Sequence, residues 1–437
     1  EARPWFLAVD PASNVNLSQP DAAAPGMNVI VQFVGDDFDS ADTIAVNTSD
    51  IFIGQKIIYN QSGHVVQNNG RIMQVPFFVS SSAAAQIVGI NISAVPIGRT
   101  FTIANPRPGS GNFSSVASGE RKIGDGRNGT KTQGNTILLE SLVIPSTVTV
   151  SIDMGDIDNA IANGNQSFLP VYILVQGIVN ISGTLNVSGA KGIDGSASAA
   201  GRGGDGGPGG GGGGGGAGDR NLGGPGGAGF TGGGGGSCED DQGTCTEGDG
   251  GGGSGGPGDA ENQGASSGGD GGVSLSQGVS GGAGGVGDGT DGAGGGGGTG
   301  VFFGSSGAGG SDAAGTNGAG GFGGGGAAFT AGAGGGGFGS AGTTSSGGGG
   351  TVHGNAHLLP ITGGSGGGGG GAGNSNSESA GGGGGAGGAV LIYSRKNITI
   401  TGRIRAEGGM GGLRMSTTQG DGGGGSGGSI TLMAPSV

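Results

Sequence analysis

The chain has 437 residues, of which 125 are glycine and 15 proline, and Lys and Arg total 17 against 31 Asp and Glu, a formal net charge of −14. Such acidity argues against nucleic acid or an anionic membrane surface as a partner, and a hydrophobic content of 32% leaves an ordinary core only to the flanks, before about residue 190 and over the last 50 or so positions. No run approaches the roughly 18–20 apolar residues of a membrane-spanning helix; the longest candidate is VYILVQGIV at 171–179.

Residues 1–108 read as a compact β domain. WFLAVDP (5–11), MNVIVQFVG (27–35), DTIAVNTSDIFIG (42–54), KIIYN (56–60), RIMQVPFFVS (71–80), QIVGINIS (86–93) and RTFTIANP (99–106) are apolar or β-branched runs separated by turn-forming residues. Short strands at such spacing predict a sandwich. The opening AVDPAS, the run GMNVIVQFVGDDF and the closing PIGRTFTIANPRPG resemble immunoglobulin-like domains of the IPT/TIG type. That resemblance covers about a quarter of the chain and implies a spacer or binding module rather than an activity.

Residues 109–134 are polar and rich in Gly and Ser, which reads as a linker, and residues 135–437 as a β-framed glycine-rich domain. In it NTILLESLVIPSTVTVSIDMG (135–155) restores a β pattern, and VYILVQGIVNISGTLNVSGAKG (171–192) aligns without a gap with VLIYSRKNITITGRIRAEGG (390–409). Val171 falls on Val390, Ile173 on Ile392, Ile181 on Ile400, Gly183 on Gly402 and Leu185 on Ile404. A third start, GGSITLMAPSV (427–437), matches the opening of this cassette only. Strand cassettes near 135–192 and 389–437 therefore bracket the glycine tract at 189–388.

Runs such as 206–218 and 381–388 leave almost no side chains to bury. Fixing a backbone costs about 1–2 kcal/mol per residue and glycine loses the most freedom, so such a tract is ordered only if its main chain bonds to itself between extended threads. A polyproline-II-like thread has three residues per turn and no internal hydrogen bonds, and the expected period appears at Arg202, Asp205 and Pro208, at Pro225, Ala228 and Thr231, at Ala283 and Val286, and at Ala319 and Phe322. Collagen is excluded, because it needs glycine strictly at every third place with abundant proline. The fold class expected is all-β plus polyglycine II: an immunoglobulin-like sandwich followed by a strand-clamped bundle of glycine threads. The arrangement from 135 onward resembles glycine-rich surface proteins of bacteria and archaea and the polyglycine regions of phage tail-fibre adhesins.

Ten N-x-[ST] sequons begin at Asn16, Asn47, Asn60, Asn91, Asn112, Asn128, Asn165, Asn180, Asn186 and Asn397. They point to a secreted surface carrying glycans, with an unglycosylated β protein rich in Asn, Ser and Thr as the alternative. Cys238 and Cys245, in SCEDDQGTCTEG, are expected to form a disulfide stapling a reversal between threads in an oxidising compartment. Two thiols are only half of a structural zinc site.

No metal site is expected. His353 and His357 stand four apart, a helical ligand spacing, but Gly354 and Asn355 oppose a helix, and His64 has no partner in sequence. The acidic loop Glu239, Asp240, Asp241 reads as a soluble tip. No cofactor is expected either, calcium being the one ion left open: Asp270, Asp288 and Asp291 resemble the calcium-binding nonapeptide roll, whose successive repeats with a fixed apolar residue do not occur here. The GxGxxG matches lack the strand and helix a dinucleotide site needs, and no nucleophile stands with a base; the chain is not read as an enzyme.

The function expected is a non-catalytic extracellular structural protein, a repeating subunit of a surface filament that self-associates by strand addition or edge pairing. The alternative is an adhesin or phage-like receptor-binding protein that meets a glycan or cell-surface ligand through loops between threads, at 301–306, 327–332, 353–362 and the Cys238–Cys245 loop, with Phe302, Phe303 and Phe329 as contact residues.

Overall fold

A computed structural model describes residues 18–59, 65–67, 70–92, 95–129, 132, 135–153, 169–196, 199–219, 224–229, 232–236, 238–239, 260–261, 297, 324, 335, 341–344, 348–352, 361–371, 379–415 and 420–435. All regular structure among them is β.

The first module places two sheets over one core. Its strands are β1 (Ser18–Gln19), β2 (Ala22–Ala23), β3 (Asn28–Phe38), β4 (Ile44–Val46), β5 (Ile51–Ile53), β6 (Ile57–Tyr59), β7 (Gly70–Val79), β8 (Gln86–Ile92) and β9 (Val95–Ile103). One sheet runs β1-β3-β7-β5, with β6 also on β7, and the other runs β2-β9-β8-β4. Strand alternation decides the faces: Val29, Val31 and Phe33 of β3 and Met73, Val75 and Phe77 of β7 are buried with Val88, Ile90 and Phe101 of the second sheet. Phe77 and Phe101 meet edge-on across the core, ring centroids 5.3 Å apart. The run at 42–54, expected as one strand, divides: a turn in which the Asp50 amide donates to Thr48 Oγ1 carries the chain from β4 in one sheet to β5 in the other. The segment WFLAVDP lies outside the described residues.

The second module is a stack. After β10 (Gly119–Ile123) the chain makes β11 (Thr136–Leu139), β12 (Leu142–Ile144), β13 (Val148–Ile152), β14 (Val171–Val175), β15 (Val179–Ile181) and β16 (Thr184–Asn186). Two-residue strands β17 (Gly218–Asp219), β18 (Cys238–Glu239) and β19 (Ala260–Glu261) pair in parallel within the tract. The stack resumes with β20 (Ala389–Ser394), β21 (Ile398–Ile400), β22 (Arg403–Arg405) and β23 (Ser429–Met433). Three parallel sheets result: β11-β14-β20-β23, β12-β15-β21 and β10-β13-β16-β22. Each circuit therefore contributes one strand to each sheet in turn, and the enclosed core is a column of aliphatic side chains including Ile137, Val150, Ile173, Ile181, Leu185 and Ile392. Short strands need sharp corners, and glycine supplies them: a Cβ on Gly402 would lie 2.0 Å from the carbonyl oxygen of Gly183, and one on Gly183 would lie 2.1 Å from that of Pro145.

The polar stretch expected as linker contains β10, which pairs with β13 through five residues although only Ile123 of it is buried. Its order comes from main-chain pairing at a sheet edge, which an apolar-periodicity search does not register.

Every passage from the third sheet back to the first leaves at the same corner, and the glycine segments occupy two of these passages, 187–388 and 406–428. Their described parts, among them 187–195, 201–217, 361–371, 379–388 and 406–412, continue the stack as passes bonded to one another by their main chains. From 380 to 388 each amide donates, and the acceptors rotate among three neighbours. Gly381, Gly384 and Gly387 bond to Gly420, Gly423 and Ser426; Gly382, Gly385 and Gly388 to Ile193, Ala190 and Val187; Ala380, Gly383 and Ala386 to Ala217, Gly214 and Gly211. Its carbonyls accept from three further passes, at 201–207, 364–370 and 409–412. A backbone whose donors point to three sides in a three-residue cycle is what satisfies every polar group without a sheet.

The glycine content of each pass follows how many of its sides are covered. At 187–195 only every third residue is glycine, and Cβ atoms on Gly192 and Gly195 would lie 2.1 Å from carbonyl oxygens of the pass at 379–388. At 201–207 two residues in three are glycine, the remaining positions being Arg202 and Asp205. From 381 to 385 all are glycine, and a Cβ on any of them would come within 2.1 Å of a backbone oxygen.

Candidate functional site

The first sheet of the stack is apolar on both faces. In β14 all five residues are buried: Val171, Ile173 and Val175 enter the stack's core, while Leu174 packs into the core of the first module and Tyr172 into a small outer cluster with Leu391 and Ile361. The junction is fixed by the Asp21 amide donating to Thr136 Oγ1 at 3.1 Å and Thr132 Oγ1 donating to Asp21 Oδ1. The Arg395 guanidinium lies against Gly26, whose Cβ would come within 2.9 Å of it.

Between the modules the packing is incomplete. A cleft of about 370 Å³ is bounded on one side by Pro20, Asn28, Ile30, Gln32 and Gln74, and on the other by Tyr172, Leu174, Ile361, Leu391, Tyr393, Thr431 and Met433. That volume is near the lower end of the roughly 300–1,000 Å³ usual for small-ligand sites. Among the described residues no charged side chain lines it. Gln32 is 5% exposed, and its Oε1, like Thr431 Oγ1 on the opposite wall, has no hydrogen-bond partner among the described residues, although buried polar groups are nearly always paired. Burial pushes the Tyr172 phenol above its usual range, so it stays neutral. Among the described residues the cleft thus offers apolar walls with two orphaned hydrogen-bonding atoms, and no acid–base or nucleophile–base pair.

From the cleft the outer face of β3 and β7 continues into solvent. Ile30 is opposite Pro76 and Asn28 opposite Phe78, and Phe78 and Phe52, 38% and 71% exposed, lie with ring centroids 5.8 Å apart.

The sequence singled out other positions. Asn47, Asn91, Asn112, Asn128, Asn180, Asn186 and Asn397 are all exposed or half-buried; Asn16, Asn60 and Asn165 lie outside the described residues. Some of these side chains already serve the fold: Asn47 Oδ1 accepts the Gly89 amide at 2.9 Å, and Asn128 Nδ2 donates to the Lys122 carbonyl at 3.1 Å. Cys238 stands in β18 while Cys245 lies outside the described residues, as do His64, Asp240, Asp241, Asp270, Asp288, Asp291, Phe302, Phe303, Phe329, His353 and His357. Among the described residues no group of three or more His, Cys, Asp or Glu could hold a metal ion, and no helix is long and apolar enough to cross a membrane. The structure does bring Arg202 and Asp205 together, 2.7 Å apart, with Asp205 Oδ1 also accepting the Ala228 amide at 2.8 Å.

The cleft escaped the sequence reading because its residues come from β3, β7, β14, β20, β23 and positions 20 and 361. One signal was available: VYILV is apolar without alternation, the mark of a strand covered on both faces. In comparison with known proteins, no family model and no curated relative matches the chain.

Proposed function

We propose that this chain is a non-catalytic extracellular structural protein, a repeating subunit of a surface filament. Its first module acts as an immunoglobulin-like spacer of the IPT/TIG type, and the bundle is a polyglycine II body clamped by the strand stack. The observation that carries this reading is that the stack's sheets end in strand edges: among the described residues β10, β11 and β12 at one end, and β21, β22 and β23 at the other, each have a single strand partner. Unpaired edges are templates for strand addition. A body held by main-chain bonds in several directions also suits a load-bearing role, since its order does not depend on a surface-exposed side-chain network. The sequons and the expected Cys238–Cys245 disulfide support an extracellular location, and mass measurement with and without reductant tests the disulfide.

Electron microscopy of native material tests the reading as a whole: filaments with a subunit repeat are expected, and dispersed single particles would refute it. One route of strand addition is an extended segment at residues 1–11 joining a neighbour's sheet, and if subunits associate that way, deleting those residues leaves monomers by light scattering.

A further inference from the structure

We infer that the cleft between the modules is the acceptor for residues Trp5–Val9 of a neighbouring copy. The inference rests on the filament reading above and names the site at which one subunit takes the next.

Three features of the cleft select this occupant. Its lining carries no charge among the described residues, and WFLAV at 5–9 lies in the uncharged run between Arg3 and Asp10. The orphaned Gln32 Oε1 needs a donor, and Thr431 Oγ1 can donate as well as accept. An extended peptide brings both N–H and C=O groups, which a hydrocarbon ligand does not. Length also agrees: the outer face of β3 from Asn28 to Gln32 is five residues, about 13 Å at roughly 3.3 Å per residue, and Trp5–Val9 is five residues. In an extended segment Trp5, Leu7 and Val9 share one side and Phe6 and Ala8 the other, so one row can face Tyr172, Leu391 and Tyr393 while the second faces Ile30.

The direction of β1 favours a neighbour over the same subunit. Seventeen residues precede Ser18, where β1 joins β3, and Pro20 already stands on the cleft wall. Ser18 lies opposite Phe33 and Gln19 opposite Gln32, so the step back from Gln19 to Ser18 moves along β3 away from Asn28 and the cleft. An occupant donated by another copy links subunits head to tail, the arrangement that generates filaments.

Trp5 is the only tryptophan in the sequence, so the test needs no added label. Its emission and the light scattering are followed together over a dilution series, for the wild type and for two single variants on opposite walls, Ile30→Glu and Thr431→Arg. Thermal unfolding checks that each variant folds; if one does not, the other decides. The expected result is blue-shifted emission in the assembled protein that moves to the water-exposed value on dilution, in step with scattering, and a midpoint at least tenfold higher in concentration for the folded variants. Blue-shifted emission independent of concentration would place the segment in its own cleft and overturn the inference. Assembly of both variants at the wild-type midpoint would also overturn it, while leaving the filament reading intact. Absence of assembly at every concentration would remove the filament reading and the inference with it.

Discussion

Ser182 and Thr401 stand 219 residues apart in the chain, yet their hydroxyls lie 3.1 Å apart. The same separation relates Ser188 Oγ to the Glu407 amide and Asp194 Oδ1 to the Leu413 amide, beyond the ends of β16 and β22. The register set by the aliphatic stack therefore runs on into the glycine passes, and the core and the bundle are one continuous structure.

If the core clamps the bundle, weakening the core should loosen threads that contain none of it. Ile392 is fully buried in the stack, so Ile392→Ala should cost about 2–5 kcal/mol. Denaturant unfolding measures the cost, and amide exchange at 381–388 should accelerate in the same variant.

Glycine is required by position rather than by composition. A Cβ on Gly384 would lie 2.0 Å from the Gly409 carbonyl oxygen, whereas one on Gly424 would find its nearest neighbour, the same oxygen, at 3.7 Å. Gly384→Ala should cost about 3 kcal/mol, the upper end of ordinary overpacking penalties. Gly424→Ala, at an exposed position, should stay within about 0.5 kcal/mol of wild type. Thermal denaturation of the two variants side by side checks the contrast.

Asp194 links two passes. Its carboxylate accepts from Lys191 Nζ and from the Leu413 amide, both at 2.7 Å, and these bonds, the lysine's first, hold its pKa below the ordinary 3.8. A group depressed in the folded state stabilises above its unfolded pKa and loses that contribution as pH falls through the folded value. The contribution should thus be intact at neutral pH and decline only below about pH 4. A carboxyl titration followed by NMR should give a midpoint under 3.8, and Lys191→Ala should raise it.

Asp205 Oδ1 serves both Arg202 and the Ala228 amide, and Ala228 is fully buried. Asp205→Ala leaves that amide without its acceptor and should cost about 1–3 kcal/mol. Asp205→Asn retains an acceptor oxygen and should recover much of the loss, measured by denaturant unfolding.

How much of this was legible in the sequence depended on whether the signal was local or repeated. The cassette alignment of Val171 with Val390 and Leu185 with Ile404 is also their pairing register, because parallel stacking puts equivalent residues side by side. The three-residue spacing of Arg202 and Asp205 likewise became a contact. What could not be read was the direction of the chain at corners. ISGTLN looks like one continuing strand, yet Gly183 turns it from the second sheet into the third. The cleft was equally hidden, since nothing in the residues around Gln32 or Thr431 announces that they face each other.

The claim on which the rest stands is that the glycine passes are fixed by bonds from one main chain to another. Hydrogen–deuterium exchange resolved to residues 380–388 measures this directly. The account predicts protection comparable to β14 and β20 at every amide of that pass, with no unprotected position recurring every second or third residue. Exchange there at unstructured-chain rates, alongside protected strands, would contradict it.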